Sequence, residues 1–192
     1  MYKKTFYVCL FLVVLAAIPM LWGCGESTTD RAHFQSGYFD VRQYINGVID
    51  RLNKKDPLVE KAAYLNGKEE HHELHFDQKK WQTELAPFLD ADINKPAFVK
   101  RYRADTLKID DSTSCLVYSA LDEKLRTREL KLYFHRNIAV PYKLEAQLSA
   151  SKLFYKSAQR LRLTESEGYD LRGRQDIVLF GTDTFAIKGK FE

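Results

Sequence analysis

The sequence predicts an α+β fold, in which two N-terminal helices and a β-hairpin accompany a long antiparallel sheet. Two stretches before residue 91 repeat apolar residues at helical spacing, which indicates helices with one buried face. From Phe98 onward apolar and polar residues alternate, and a period of two is typical of strands with one wet face. Two helices can cover the apolar face of such a sheet. We therefore expect a meander of about seven strands that could curve into a half-barrel.

The first helix is predicted over residues 40–54. Asp40 can cap its N-terminus, and Gln43 follows three residues later, as in a capping box. The helix should end before Asp56-Pro57, since proline cannot continue it. One apolar stripe at helical spacing is expected to face the core: Val41, Tyr44, Ile45, Val48 and Leu52.

A β-hairpin is predicted next, with strands over 58–65 and 68–76. Asn66-Gly67 between them is the strongest short hairpin signal, because both residues accept a positive φ. This two-residue turn places Val59 opposite Leu74. Both faces of the hairpin are polar, so we expect it at an edge of the sheet or well exposed.

A second helix is predicted over residues 78–90, with Asp77 as its cap. Pro87 removes a backbone hydrogen bond and should kink or shorten this helix. Its apolar stripe contains Trp81, Leu85, Phe88 and Leu89.

The remaining strands are predicted from alternation, because successive side chains of a strand point to opposite faces. The last two strands are expected over about 169–180 and 183–191, joined near Gly181, with Gly173 in a bulge. In two earlier strands the apolar positions are Leu130, Leu132, Phe134, Leu144, Ala146 and Leu148. In a third, the predicted buried positions are Leu153, Tyr155, Leu161 and Leu163, and the exposed ones are Lys152, Lys156, Arg160 and Arg162.

The chain begins with a secretory pattern: charged Lys3-Lys4, an uncharged run over 5–22 and then a small residue. The run ends at Leu21-Trp22-Gly23-Cys24, which resembles the lipobox of bacterial lipoprotein precursors. The resemblance implies diacylglycerol on the Cys24 thiol, cleavage before Cys24 and a fatty acid on the new amino group. With its hairpin-plus-sheet domain, the chain is also similar to uncharacterised small lipoproteins of Bacteroidota.

This resemblance divides the chain into a signal peptide over 1–23, a lipidated cysteine with a flexible tether over 24–37, and one α+β domain over 38–192. It implies a lipid anchor in the bacterial cell envelope, and we expect that anchor in the outer membrane with the domain facing the periplasm. The alternative is an uncleaved transmembrane helix. A spanning helix needs roughly 20 apolar residues, and this run is at the short end, with Pro19 near its end.

The charge of the chain is modest but unevenly distributed. The formal net charge is +4, and removal of Lys3 and Lys4 leaves +2, which argues against a nucleic-acid partner. Residues 24–123 carry a net charge of −4, whereas residues 124–192 carry +6. This division fits two solvated surfaces of opposite sign, or a basic face toward an anionic surface such as lipid head groups or glycan.

Cys115 is the only cysteine expected to keep a thiol, because Cys9 leaves with the signal and Cys24 is lipidated. No internal disulfide is therefore predicted. Cys115 lies in a predicted strand, where the ordinary role is that of a buried small hydrophobe. A nucleophile would need a neighbouring base and some exposure.

Two segments hold residue types that bind metals. On a strand, Glu69, His71, Glu73 and His75 share one face with Glu60 opposite Glu73, and this set could hold zinc loosely. The same residues also suit the polar face of an exposed hairpin. The loop over 110–114 offers carboxylates and hydroxyls but lacks the glycine of a calcium loop. We predict no metal and no cofactor.

These features favour a non-enzymatic, lipid-anchored envelope protein whose sheet domain binds another envelope component. The alternative is a carrier that holds an apolar ligand, a lipid or a lipoprotein, between sheet and helices. A hydrolase is the least favoured class, since the sequence shows no nucleophile–base set. An apolar pocket between the layers would favour the carrier. A filled core with an exposed apolar patch would favour the binding module.

The substitution Cys24→Ser should abolish lipidation, because the thiol is the atom that carries diacylglycerol. Metabolic labelling with a fatty-acid analogue should therefore mark the unaltered protein and leave the variant unlabelled. Label that persists in the variant would contradict a lipid anchor at this residue.

Overall fold

The structure is a computed structural model that describes residues 37–192. The predicted signal peptide, Cys24 and the predicted tether up to residue 36 lie outside the described residues. None of the helices within residues 37–192 is long and apolar enough to cross a membrane.

Two α-helices form where the sequence predicts them. Helix α1 spans Val41–Lys55 and helix α2 spans Gln78–Leu85. Asp40 accepts a hydrogen bond from the backbone N–H of Gln43 at 2.8 Å, which confirms its role as the cap of α1. Asp77 caps α2 in the same way, through the N–H of Lys80 at 2.7 Å.

Helix α2 is shorter than the predicted helix over 78–90. Its α-helical part ends at Leu85, and the chain continues as a 3₁₀ helix over Ala86–Ala91. Pro87 is the physical reason, because it has no N–H to donate to the preceding turn. A further 3₁₀ turn spans Pro96–Phe98.

Nine antiparallel strands of the described residues form one sheet. They are β1 Val59–Leu65, β2 Lys68–Leu74, β3 Tyr102–Lys108, β4 Thr113–Ala120, β5 Thr127–His135, β6 Lys143–Lys152, β7 Tyr155–Thr164, β8 Gly168–Ile177 and β9 Gly181–Phe191. Their order is β2-β1-β9-β8-β7-β6-β5-β4-β3. The sheet is open, with β2 and β3 at its edges, and the α+β class is confirmed.

The hairpin of β1 and β2 has the predicted register, with Val59 opposite Leu74. It does not stand apart from the meander, because β1 also pairs with β9 and places Val59 opposite Phe191. The hairpin therefore adds two strands to the seven of the meander, β3 to β9, and the single sheet has nine strands. The polar strand β2 lies at the edge, as expected.

The helices cover one face of the sheet, called here the covered face. The strand register aligns Leu132, Leu144 and Leu163 in one row across β5, β6 and β7. The alternation predicted for these strands is confirmed at Leu130, Leu132, Leu144, Ala146, Leu148, Leu161 and Leu163, all of which are buried. Each such leucine contributes about 1.5–3 kcal/mol by leaving water. From the helical side, the fully buried partners are Val41, Ile45, Val48, Trp81, Leu85 and Phe88.

The prediction for Leu153 is wrong. Leu153 and Phe154 form the turn between β6 and β7, and 83% of Leu153 is exposed. The strand β7 begins only at Tyr155. Alternation assigns a face only within a strand, so it cannot place a turn residue.

The end of β8 and the role of Gly173 also differ from the prediction. Strand β8 ends at Ile177, and residues 178–180 form a turn. Gly173 lies in an unbroken ladder opposite Phe185, not in a bulge. A Cβ at this position would collide with the Phe185 ring, so glycine is needed for the close approach of that ring.

Polar contacts at two helix residues, Glu84 and Arg51, fasten the helices to the sheet. Glu84 of α2 accepts a hydrogen bond from the Tyr169 hydroxyl at 2.6 Å, and Lys61 Nζ lies 2.7 Å from the same carboxylate. Burial, with the hydrogen bond to Glu84, raises the pKa of Tyr169. On α1, Arg51 makes a two-point contact with Glu165 in the turn between β7 and β8.

The substitution Leu161→Ala should lower the free energy of unfolding by about 2–5 kcal/mol, as large-to-small changes in a packed core do. Leu153→Ala is the matched control, and it should cost under about 0.5 kcal/mol because the side chain is exposed. Denaturant unfolding of both variants measures the difference. Equal losses would contradict the turn at Leu153-Phe154.

Candidate anion-binding site on the open face of the sheet

The side chains that alternate with the covered leucines form a second, uncovered face, called here the open face. On β5 to β8 it consists mainly of charged and amide side chains, which follow from the register. Its central residues are Glu129, Lys131, Glu145, Gln147, Arg160, Arg162, Asp170 and Arg172. Because the helices lie on the other side, this face is left to solvent or to a partner.

One part of the open face is neutralised by internal ion pairs. Glu145 lies 2.8 Å from Lys143 and 3.0 Å from Arg162, and it accepts a hydrogen bond from the Tyr133 hydroxyl at 3.0 Å. Burial acts to raise the pKa of Glu145, but the hydrogen bonds from Lys143 and Tyr133 outweigh it and lower the pKa. Lys131 pairs with Glu129 at 2.8 Å.

A second part of the open face is a depression of about 440 Å³ whose lining includes four arginines and no carboxylate. We call it the arginine cleft; its arginines are Arg128, Arg160, Arg172 and Arg174. The register sets Arg160 opposite Arg172, and Ala158 opposite both Ser149 and Arg174. The floor is formed by small side chains, which leave room between the long guanidinium arms: Ser149, Ala158 and Ala186.

The four guanidinium groups are not equally neutralised. Arg172 pairs with Asp170 at 2.8 Å and Arg174 pairs with Asp176 at 3.0 Å, and these hydrogen bonds raise the pKa of both arginines. Arg128 donates to the backbone oxygen of Asp122 at 2.6 Å. The guanidinium of Arg160 makes no ion pair or hydrogen bond with any of residues 37–192.

This arrangement can recognise anions. A guanidinium is a planar fork that binds a carboxylate or a phosphate through two parallel hydrogen bonds, and such charge-assisted bonds are the strong ones. Tyr64, whose side chain is 39% exposed, adds an amphipathic ring at the β1 side of the cleft. The cleft is shallow and open to solvent, which suits an extended chain better than an enclosed small molecule.

No family model, curated protein or solved structure matches this chain. Anion binding by the arginine cleft is therefore inferred from the geometry of the cleft alone. The sequence did contain a signal for it, since Arg160 and Arg162 repeat with the spacing of Arg172 and Arg174 on the next strand. Only the register of β7 and β8 shows that Arg160 and Arg172 are neighbours.

The histidine-rich segment lies on the edge strand β2 and its end. Glu60 is opposite Glu73, as predicted. Each imidazole has its own acidic neighbour: His71 lies 3.2 Å from Glu69, and His75 lies 3.1 Å from Asp56. Within the described part of the chain, no three potential ligands converge as a metal site would require. This geometry favours a polar edge.

The other two candidate segments have local structural roles. Cys115 is 2% exposed on β4, and burial raises the pKa of its thiol, which disfavours the reactive thiolate. Asp110 accepts hydrogen bonds from the backbone and the hydroxyl of Ser112, both at 2.7 Å. These bonds are those of a turn between β3 and β4.

Proposed function

We propose that this protein is a non-enzymatic, lipid-anchored component of the bacterial cell envelope that binds an acidic glycan on the open face of its sheet. The lipobox implies the lipid anchor at Cys24, and we place that anchor in the outer membrane, facing the periplasm, as part of the same proposal. The observation that carries the proposal is the arginine cleft, where Arg160 faces outward beside Arg172 without a carboxylate of its own.

The electrostatics of the cleft support an anionic ligand. Four guanidinium groups share one depression, while the two nearest ion-pair partners, Asp170 and Asp176, are engaged by Arg172 and Arg174. A carboxylate or phosphate placed at Arg160 would gain a charge-assisted pair that the free protein lacks. Such a bond contributes about 1.5–3 kcal/mol.

A glycan fits the whole open face better than a densely charged polymer does. Acidic groups at Glu129, Glu145 and Asp170 border the cleft and would repel a continuous line of phosphates. A sugar chain carries hydroxyls between its acidic groups, and these can bond to such carboxylates and to the Gln147 amide. The ring of Tyr64 offers an apolar surface for a sugar face.

The second candidate is a carrier of an apolar ligand, in which the sheet would curve into a half-barrel. One observation favours it: a groove of about 330 Å³ beside α1, lined by Phe39, Tyr44, Val140 and Pro141 among others. That groove runs along α1 from Gln43 to Arg51, beside the loop after β5. The side chains between helices and sheet instead form one continuous buried cluster, which favours the binding module.

The substitution Arg160→Glu should weaken binding of polygalacturonate by at least about tenfold, because it replaces an attractive charge with a repulsive one. Arg42→Glu makes the same charge change on the exposed side of α1 and should leave binding unchanged. Isothermal titration at low salt, with neutral dextran as the reference polymer, measures both.

Two results would contradict the proposal. One is the absence of any binding of polygalacturonate by the unaltered protein at low salt. The other is an equal loss in the Arg160 and Arg42 variants, which would indicate an effect of net charge without a site.

A further inference from the structure

Two turns at one end of the sheet expose large apolar side chains. They are the turn between β6 and β7 and the turn between β8 and β9. The exposed fractions are 83% for Leu153, 64% for Phe154, 66% for Val178, 87% for Leu179 and 84% for Phe180. We call these five residues the apolar tip. They contribute nothing to the buried cluster, so their composition needs another explanation.

The two turns form one surface. The backbone N–H of Val178 donates a hydrogen bond to the carbonyl oxygen of Phe154 at 3.2 Å, which ties the turns together. Tyr155 and Ile177, the adjoining strand residues, are paired in the ladder. The apolar side chains are therefore contiguous, whereas exposed apolar residues on a soluble protein are ordinarily scattered.

Positive charge flanks the apolar tip. Lys152 and Lys156 bracket the first turn and are exposed. Asp176, the nearest acid on β8, is already engaged by Arg174 and by the Thr182 hydroxyl. Aromatic and aliphatic residues flanked by lysine are the pattern of surfaces that enter the interface of a bilayer with anionic lipids.

We propose that the apolar tip inserts into the head-group and upper acyl region of an anionic phospholipid bilayer. The tip consists of turns at the end of a sheet, so it can enter lipid without the matching pocket that a protein partner would need. A segment of 14 residues, Cys24 to Gly37, reaches at most about 45 Å, so a lipid on Cys24 would hold residue 37 within that distance of the membrane. That last point rests on the proposed anchor, whereas the insertion itself does not.

The test uses the mature chain, residues 24–192, with Cys24→Ser so that no acyl group contributes. Its partition onto vesicles of phosphatidylethanolamine and phosphatidylglycerol is measured by co-sedimentation. Replacing Leu179 and Phe180 together by Asn should lower the partition coefficient at least about tenfold, because two apolar side chains no longer leave water. Replacing Leu107 and Ile109 by Asn, at the opposite end of the sheet, should leave it within about twofold.

Depth is measured separately with Phe180→Trp. The emission that this tryptophan adds to that of the buried Trp81 in the parent chain should shift to the blue on the same vesicles, and lipids brominated on their acyl chains should quench it. No vesicle binding by the parent chain, equal losses in the two double variants, or an unquenched tryptophan would each overturn the proposal. Self-association that the tip variant abolishes, without vesicle binding, would assign the tip to a second copy instead. Polygalacturonate binding by the tip variant should be unchanged. The proposal of membrane insertion and the proposal of glycan binding can therefore be rejected independently.

Discussion

Trp81, Leu85 and Phe88 pack with the apolar stripe of α1 onto the leucines of β5, β6 and β7. Because a strand turns successive side chains to opposite faces, this one-sided contact also determines what can occupy the other face. The residues between the leucines must tolerate water, and they are Lys, Glu, Gln, Asp and Arg. The ion pairs around Glu145 and the arginine cleft are both consequences of a sheet that is covered on one side only.

Local signals in the sequence were enough to predict several elements of the fold. Asp40 and Asp77 cap the two helices through short-range hydrogen bonds. Asn66-Gly67 determines the register of the hairpin. All three signals act over a few residues, so the sequence shows them directly. The turn at Leu153-Phe154 was missed because it contains no glycine, proline or asparagine to mark it. The pairing of β1 with β9 was missed because it joins residues more than 100 positions apart, which no local pattern encodes.

The candidate site was only partly visible in the sequence for the same reason. The basic character of residues 124–192 was evident from composition, and the exposure of Arg160 followed from alternation. The cleft itself depends on pairs that alternation does not supply, such as Arg160 with Arg172. Gly173 shows a related limit: glycine was recognised as unusual within a strand, but the Phe185 ring that requires it lies on another strand.

The central proposal is that the open face binds an acidic glycan in the envelope. Hydroxyl-radical footprinting tests it most directly. Tyr64 beside the arginine cleft and Ile109 at the far end of the sheet are 39% and 55% exposed in the free protein. In the native envelope, oxidation of Tyr64 should fall severalfold relative to the purified mature chain, while oxidation of Ile109 should not change. Equal oxidation of Tyr64 in both states would contradict the account.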